Sequence, residues 1–206
     1  TQANTALTLN LLLDYVDDPA ERREIAGDIV ATVDRLGRWV SALVSYLHPL
    51  KPHMRSLPVT DLLESVLKLI ATRCRERRIS VERRAWVAGE TVEVDADLME
   101  QALYGLLGNA IEASPEGARL WIALRATGRA VLIEIEDEAG GIPFIPEPAG
   151  LEPGPSTKRF GTGLGIPVAF KVCKAHGWGL EFAVIDGRGT RVTLTAPRRQ
   201  ETPDEP

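Results

Sequence analysis

Three glycines at alternate positions form the stretch of this sequence with the clearest chemical potential: Gly161, Gly163 and Gly165. Glycine adopts backbone torsions that a side chain would forbid, so main-chain N–H groups in such a loop can approach an anion closely. An apolar-periodic run begins directly afterwards at Ile166, and the start of a helix adds its positive dipole end. Lys158 lies just upstream as a cationic partner. These residues predict a phosphate-binding loop.

The loop alone is a weak signal, because a run of glycines can also form a mobile turn. It is not a Walker A loop, since the GxxxxGK[ST] spacing is missing, and no strand leads directly into it as in a dinucleotide-binding fold. Residues 139–155 before it are rich in proline and glycine, which predicts a long lid. The interpretation therefore depends on what the rest of the chain supplies.

Composition narrows the class of partner. The chain has 206 residues, 44% of them hydrophobic, and a formal net charge of −5, so it can bury a core of one or two domains and is not expected to bind nucleic acid. The arginines between positions 73 and 84 are typical of a solvated helix end rather than a nucleic-acid patch. No membrane segment or signal peptide is visible. Cys74 and Cys173 lack metal-ligand spacing, which favours free thiols in a reducing, cytoplasmic setting.

The first 50 residues predict two helices. Residues 3–16 are rich in leucine, and Asp17, Asp18 and Pro19 separate them from a second helix, which an aspartate is placed to cap. In that helix apolar residues recur by threes and fours over about four heptads: Ile25, Ile29, Val33, Leu36, Val40, Leu43 and Leu47. One hairpin cannot hide this much apolar surface, so we expect pairing with a second copy in a four-helix bundle. Packing on the chain's own second domain is the alternative.

The remainder alternates between helical and strand patterns. Thr60 and Asp95 are placed to cap two helices, and Gly89 marks a turn between two strands. The predicted helices span 60–77, 95–113 and 166–175, and the predicted strands span 79–86, 91–94, 120–125, 131–137, 180–185 and 190–195. The expected organisation is α+β: a helical hairpin over 1–50, a proline-containing linker over 51–58, a mixed domain over 59–197 and a polar tail over 198–206.

Four separated segments complete the pattern around the glycine loop. They read GLLGNAIEAS at 105–114, EDEAGGIP at 136–143, LEPGPSTKRFGTGLG at 151–165 and GRGT at 187–190. In this order and spacing they resemble the N, G1, F, G2 and G3 boxes of two-component sensor histidine kinases. The resemblance implies an α/β sandwich ATP-binding domain of the Bergerat or GHKL type, shared with gyrase, Hsp90-type chaperones and mismatch-repair ATPases. It covers almost the whole chain, because the N-terminal hairpin looks like the dimerisation and phosphotransfer domain.

The resemblance also implies a role for each matched residue. Asn109 corresponds to the family's Mg²⁺ ligand and, with Lys158, to its catalytic residues, and an amide oxygen suits a hard cation already held by phosphates. Asp137 corresponds to the carboxylate that accepts from the adenine amino group, and Thr190 to a threonine near the adenine. Taken singly, Asn109 is equally a surface helix residue and Asp137 a turn former. The other implied nucleotide-binding residues are Gly141, Ile142, Gly161, Thr162, Gly163, Leu164 and Gly165.

The chain departs from the family's pattern in ways that bear on catalysis. Gly105 stands where the family has a second Asn, Ala139 replaces a common Gly, and the F-box region lacks its aromatic pair. A glycine at position 105 costs the helix about 1 kcal/mol relative to alanine and removes a polar group from the phosphate site. The phosphoacceptor histidine would lie immediately before Thr1.

None of the three histidines in the chain is a good substitute for that phosphoacceptor. His48 ends the second helix, His53 lies in the linker, and His176 matches a structural turn after the last helix. The expected function is nevertheless that of a protein-histidine kinase core. ATP or ADP with Mg²⁺ binds the second domain, and the γ-phosphoryl passes to a histidine of the hairpin and then to a response-regulator receiver domain.

The expected assembly is a cytoplasmic homodimer formed through the hairpin. The alternative is a degenerate kinase that serves as a dimeric, nucleotide-binding scaffold without autokinase activity, which Gly105 and the missing histidine favour. A chaperone-like ATPase is disfavoured, because those proteins carry a catalytic glutamate where this chain has Gly105.

Overall fold

The computed structural model describes residues 18–23, 25–27, 29, 33, 36–37, 40, 44, 49–142, 145–146, 164–185 and 187–198. The chain divides into two compact units, Thr1–Val44 and Ser45–Pro206. In the first unit the described residues from position 19 onward are helical, and the Asp18 carboxylate accepts a hydrogen bond from Ala20 N at 2.8 Å, as predicted for the start of this helix. The predicted first helix lies outside the described residues. Within the described ranges, no helix is long and apolar enough to cross a bilayer.

In its described residues, the second unit is an α/β sandwich of three helices and a five-stranded sheet, with a small two-stranded sheet beside it. The helices are α1 (Val59–Glu76), α2 (Ala96–Ala113) and α3 (Gly165–Ala175). The strands are β1 (Arg55–Pro58), β2 (Ser80–Trp86), β3 (Thr91–Val94), β4 (Arg119–Ala126), β5 (Ala130–Glu136), β6 (Gly179–Ile185) and β7 (Gly189–Pro197). The large sheet has the order β2-β4-β5-β7-β6, with β2 and β4 parallel and the other neighbours antiparallel.

The two faces of the large sheet differ in chemistry because successive side chains of a strand point to opposite sides. One face buries aliphatic side chains of the central strands, among them Ile122, Leu124, Ile133 and Ile135. Each such side chain contributes about 1.5–3 kcal/mol by leaving water. The opposite face carries cross-strand ion pairs such as Arg125–Glu134 at 2.7 Å. Only one face of the sheet therefore contributes to the hydrophobic core, and burial of that face holds the sheet in place.

Two details of the predicted elements are wrong. Residues 55–58 are not linker but strand β1, which pairs antiparallel with β3. Thr60 does not cap α1, which begins at Val59 without a side-chain cap. Since β1 runs straight into the helix, the Val59 N–H is instead satisfied by Glu90 O at 3.0 Å.

The register of the central strands creates one very close approach. Strand β7 begins at Gly189, and the carbonyl oxygen of Asp137 lies so near that a Cβ atom on Gly189 would stand 1.8 Å from it. The same Cβ would stand 2.7 Å from Asp137 Oδ1. Only glycine fits there, because no atom pair tolerates such distances. The GRGT segment therefore contains a steric requirement of the fold.

This close approach predicts a large effect of a small substitution. Gly189→Ala should lower the free energy of unfolding by at least about 3 kcal/mol, because the backbone of β5 or β7 must move. Gly187→Ala is the matched control: Gly187 has φ +67° but open space around it, so it should cost about 1 kcal/mol of backbone strain. Urea denaturation of both variants measures the difference, and equal losses would contradict the steric account.

Candidate functional site

Asp137 is a buried carboxylate held in one orientation. It follows β5 directly and is 7% exposed. Its Oδ1 accepts hydrogen bonds from Thr190 N at 2.9 Å and from Ala139 N at 3.0 Å. Its own N–H donates to Thr190 O at 3.0 Å. Neither side-chain bond involves the second carboxylate oxygen, Oδ2, so Oδ2 can accept a hydrogen bond from a donor on a ligand.

The charged form of the Asp137 carboxyl is disfavoured in the free domain. Burial raises the pKa of this carboxyl above its usual value, and the N–H donors of Ala139 and Thr190 only partly oppose that rise. A buried charge that lacks a full set of partners costs stability. Such perturbed groups concentrate at functional sites. Asp137 is therefore placed to accept a further hydrogen bond from a ligand.

Thr190, beside Asp137, carries an unsatisfied polar group. It is 2% exposed, and its Oγ1 is the buried side-chain atom without a hydrogen-bond partner in the described part of the chain. Buried hydroxyls are nearly always paired, so an orphan one needs an explanation. Because Thr190 N bonds to Asp137 Oδ1, the two groups are adjacent. A base with an exocyclic amino group and a ring nitrogen offers both of them partners, so adenine fits the residues present.

The segment after Asp137 is folded back onto β6 and β7. Gly140 N donates to Arg188 O at 3.2 Å. Gly141 has φ +97°, and a Cβ on it would stand 3.1 Å from Val184 Cγ1. Ile142 follows and is half-buried. Gly141 thus combines a left-handed backbone with a close approach, which explains why this position holds glycine.

Asn109 belongs to a second cluster, where α2 and α3 meet. A Cβ on Gly165 would stand 3.2 Å from Asn109 Nδ2, and one on Gly105 would stand 3.4 Å from Gly165 Cα. Leu164, the residue before α3, is buried. The Asn109 amide therefore lies beside the N-terminus of α3, a helix end that favours anions. The space beside Gly105 is occupied by the α3 backbone rather than left empty.

The outer side of α2 is covered by an arginine. Arg73 lies over the Tyr104 ring, with its guanidinium carbon 5.6 Å from the ring centroid, and forms an ion pair with Glu112. A Cβ on Gly108 would stand 2.7 Å from Arg73 Nη1. Arg77 similarly donates to Ser114 O at 2.8 Å. Arg73 and Arg77 thus make contacts that hold the helices together, whereas the sequence predicted a solvated helix end.

The structure places the predicted site residues in two groups. Asp137, Gly141 and Thr190 form one, while Asn109, Leu164 and Gly165 form the other. Ile142 directly follows the first group. The other predicted residues lie outside the described residues: Lys158, Gly161, Thr162 and Gly163. Sequence reasoning did not single out Gly189, although its place in GRGT was a usable signal. In the described part of the chain, no three His, Cys, Asp or Glu side chains form a metal cluster.

Comparison with known proteins agrees with this geometry. The sequence matches the histidine kinase-, DNA gyrase B-, and HSP90-like ATPase family over residues 94–200. Sensor histidine kinase ZraS of Escherichia coli O157:H7 is 28% identical over 177 residues, which are 86% of this chain and 39% of ZraS. The C4-dicarboxylate transport sensor protein DctS of Rhodobacter capsulatus is 30% identical over 177 residues, 83% of this chain and 27% of DctS. The chain thus spans well under half the length of these relatives.

Solved structures show the same fold. Full-length ShkA in complex with AMPPNP superposes with a TM-score of 0.66 at 20% identity, covering 90% of this chain and 41% of ShkA. The cytoplasmic segment of histidine kinase QseC gives 0.58 at 18% identity, covering 81% and 95%. The predicted α/β sandwich is confirmed. Because the family match spans more than half of the sequence, this chain belongs to the histidine kinase-, DNA gyrase B- and HSP90-like ATPase family and carries the catalytic domain of a two-component sensor histidine kinase.

Proposed function

We propose that the domain binds ATP with Mg²⁺ and transfers the γ-phosphoryl to a histidine of the N-terminal helical unit, from which it passes to an aspartate of a response-regulator receiver domain. The observation that carries this proposal is that a buried carboxylate, Asp137, lies next to the Thr190 hydroxyl, which has no hydrogen-bond partner. Both are unfavourable in the free protein, and adenine would satisfy both.

Each described residue of the site has a role in this proposal. Asp137 Oδ2 accepts from the adenine amino group, and the Thr190 hydroxyl bonds to the base beside it. Gly141 and Ile142 follow Asp137 along the base. The Asn109 side-chain oxygen ligates Mg²⁺, which neutralises phosphate charge when bound.

The glycine loop completes the proposed site. The N–H groups of Gly161, Thr162 and Gly163, continued by Leu164 and Gly165 at the start of α3, surround the phosphates. Lys158 offsets the charge of the transferring γ-phosphoryl group. Little covalent chemistry is required of the protein, because phosphoryl transfer depends mainly on positioning and charge.

Exposed apolar side chains support a homodimer through the first unit. Val33, Leu36, Val40 and Val44 are each at least half exposed. Their spacing of three and four residues places them on one side of a helix, as in a bundle seam. A second copy of the unit would cover this stripe in a cytoplasmic four-helix bundle. A relative, ThkA, has been solved in complex with the response regulator TrrA, which supports a receiver domain as the partner proposed here.

The second candidate is a degenerate kinase, a dimeric scaffold that keeps the nucleotide site without transferring phosphate. Gly105 favours it, because this position supplies no second polar side chain on the helix that carries Asn109. Nucleotide binding is common to both candidates, whereas phosphohistidine formation belongs to the first alone. Two experiments therefore separate them.

The first experiment is a calorimetric titration of ADP and Mg²⁺ into the parent and into Asp137→Asn. The asparagine oxygen can still accept from Ala139 and Thr190, so the variant should be at least as stable as the parent at pH 7. It presents an amide donor to the adenine amino group, so affinity should fall at least about 30-fold. Glu134→Gln, on the opposite face of the sheet, is the control and should bind as the parent does.

The pH dependence gives an internal check on the same variant. Because the folded-state pKa of Asp137 is raised, protonation as pH falls should weaken ADP binding while adding stability to the free domain. Both trends should weaken in Asp137→Asn. A folded parent without ADP affinity, or a variant with parental affinity, would refute the site assignment.

The second experiment asks for phosphohistidine in the full-length protein. Radiolabelled ATP and Mg²⁺ should give acid-labile label on histidine, and Asn109→Ala should slow labelling at least about 100-fold by removing the cation ligand. Asp97→Asn, an exposed residue of the same helix, should label at the parental rate. Nucleotide binding without any label would favour the scaffold over the kinase.

A further inference from the structure

His176 connects the ends of the two helices that carry the second cluster. Its Nε2 accepts a hydrogen bond from Asp95 N at 3.0 Å, and its Nδ1 lies 2.8 Å from Val172 O. Because Nε2 accepts, the ring proton must be on Nδ1, which donates to Val172 O. The imidazole is 6% exposed and packs edge-on against Trp178, with centroids 6.3 Å apart. The side chain is thus a fixed bridge from the end of α3 to the residue that begins α2.

Asp95 is itself held firmly in place. Its Oδ1 caps α2 by accepting from Leu98 N at 3.2 Å, and its Oδ2 accepts from His53 N at 2.8 Å. Burial acts to raise the pKa of Asp95, but these two N–H donors, together with the electrostatic attraction of the His176 and His53 side chains, outweigh it and keep the pKa below its usual value. The carboxylate therefore ties together the start of α2 and the segment that leads into β1. The backbone N–H that donates to His176 therefore belongs to a residue whose side chain is fixed by two hydrogen bonds.

The geometry of the helix pair gives this bridge a consequence at the nucleotide site. Gly165 at the start of α3 lies against Gly105 in the middle of α2, and His176 at the end of α3 bonds to Asp95 at the start of α2. The two helices therefore run antiparallel. On α2 the two contacts are ten residues apart, which corresponds to about 15 Å of helix. On α3 they are eleven residues apart, which corresponds to about 16 Å. The two contacts thus match in spacing and together prevent α3 from sliding along α2.

We propose that His176 and Asp95 are positioning residues of the nucleotide site, which set the register of α3 against α2 and so place the start of α3 beside Asn109. This inference rests on the proposed function, because it assigns to Asn109 the binding of a phosphate-bound cation. The adenine end of the site, at Asp137 and Thr190, lies on the sheet and does not depend on this bridge. Loss of the bridge should therefore affect the Mg²⁺-dependent part of nucleotide affinity and spare the remainder.

The test compares two substitutions of His176, by asparagine and by glutamine, whose amide side chains differ in length. In His176→Asn, the side-chain N–H₂ can replace Nδ1–H toward Val172 but is too short to reach Asp95. In His176→Gln, the longer side chain reaches the position of Nε2. ADP is titrated into each variant with Mg²⁺ and with EDTA, and the ratio of the two affinities is the readout. Lys174→Ala, an exposed change in the last turn of α3, is the control.

The expected result is a loss of at least about fivefold in the Mg²⁺-to-EDTA affinity ratio for His176→Asn, with the EDTA affinity within about twofold of the parent. His176→Gln should restore the ratio, and Lys174→Ala should keep it. If His176→Asn does not fold, Trp178→Phe is the milder variant, because it keeps an aromatic ring beside the imidazole, and its ratio should fall in the same direction. A folded His176→Asn with the parental ratio would overturn the inference, whereas a parent that does not bind ADP would overturn the proposed function instead.

Discussion

The structure depends on one contact between two strands, where the backbone of Asp137 meets that of Gly189. Reciprocal hydrogen bonds join Asp137 and Thr190, and they form only because Gly189 has no side chain in the way. The contact closes the end of the central β5–β7 pair and also orients the buried carboxylate. The same few atoms therefore serve both the fold and the proposed adenine site.

The site shows how function opposes stability. A buried carboxylate with a raised pKa and a buried hydroxyl without a partner each cost stability, the hydroxyl by about 1–3 kcal/mol. The apolar face of the sheet offsets these costs, since several of its large aliphatic side chains are fully buried. Unfavourable groups of this kind are expected where a ligand completes the structure.

Local patterns in the sequence predicted much of the fold but not its tertiary details. The Asp95 cap was predicted correctly, because an N-cap depends on nearby residues. The strand at Arg55–Pro58 was missed, since prolines usually indicate loops and only a distant partner, β3, makes this segment a strand. The orphan hydroxyl of Thr190 could not be predicted, because satisfaction of a buried group depends on the whole packing. Gly105 was interpreted only as a loss, whereas the structure shows that the first residue of α3 packs directly beside it.

The central claim is that the Asp137 and Asn109 clusters are two ends of one nucleotide site. The most direct measurement is a titration of the ¹⁵N-labelled chain with ADP and Mg²⁺, followed by NMR at the backbone amides of Ala139, Thr190 and Gly165 and at the Asn109 side-chain amide. The account predicts that all four signals shift together with one dissociation constant. Shifts at only one cluster, or different dissociation constants for the two, would contradict it.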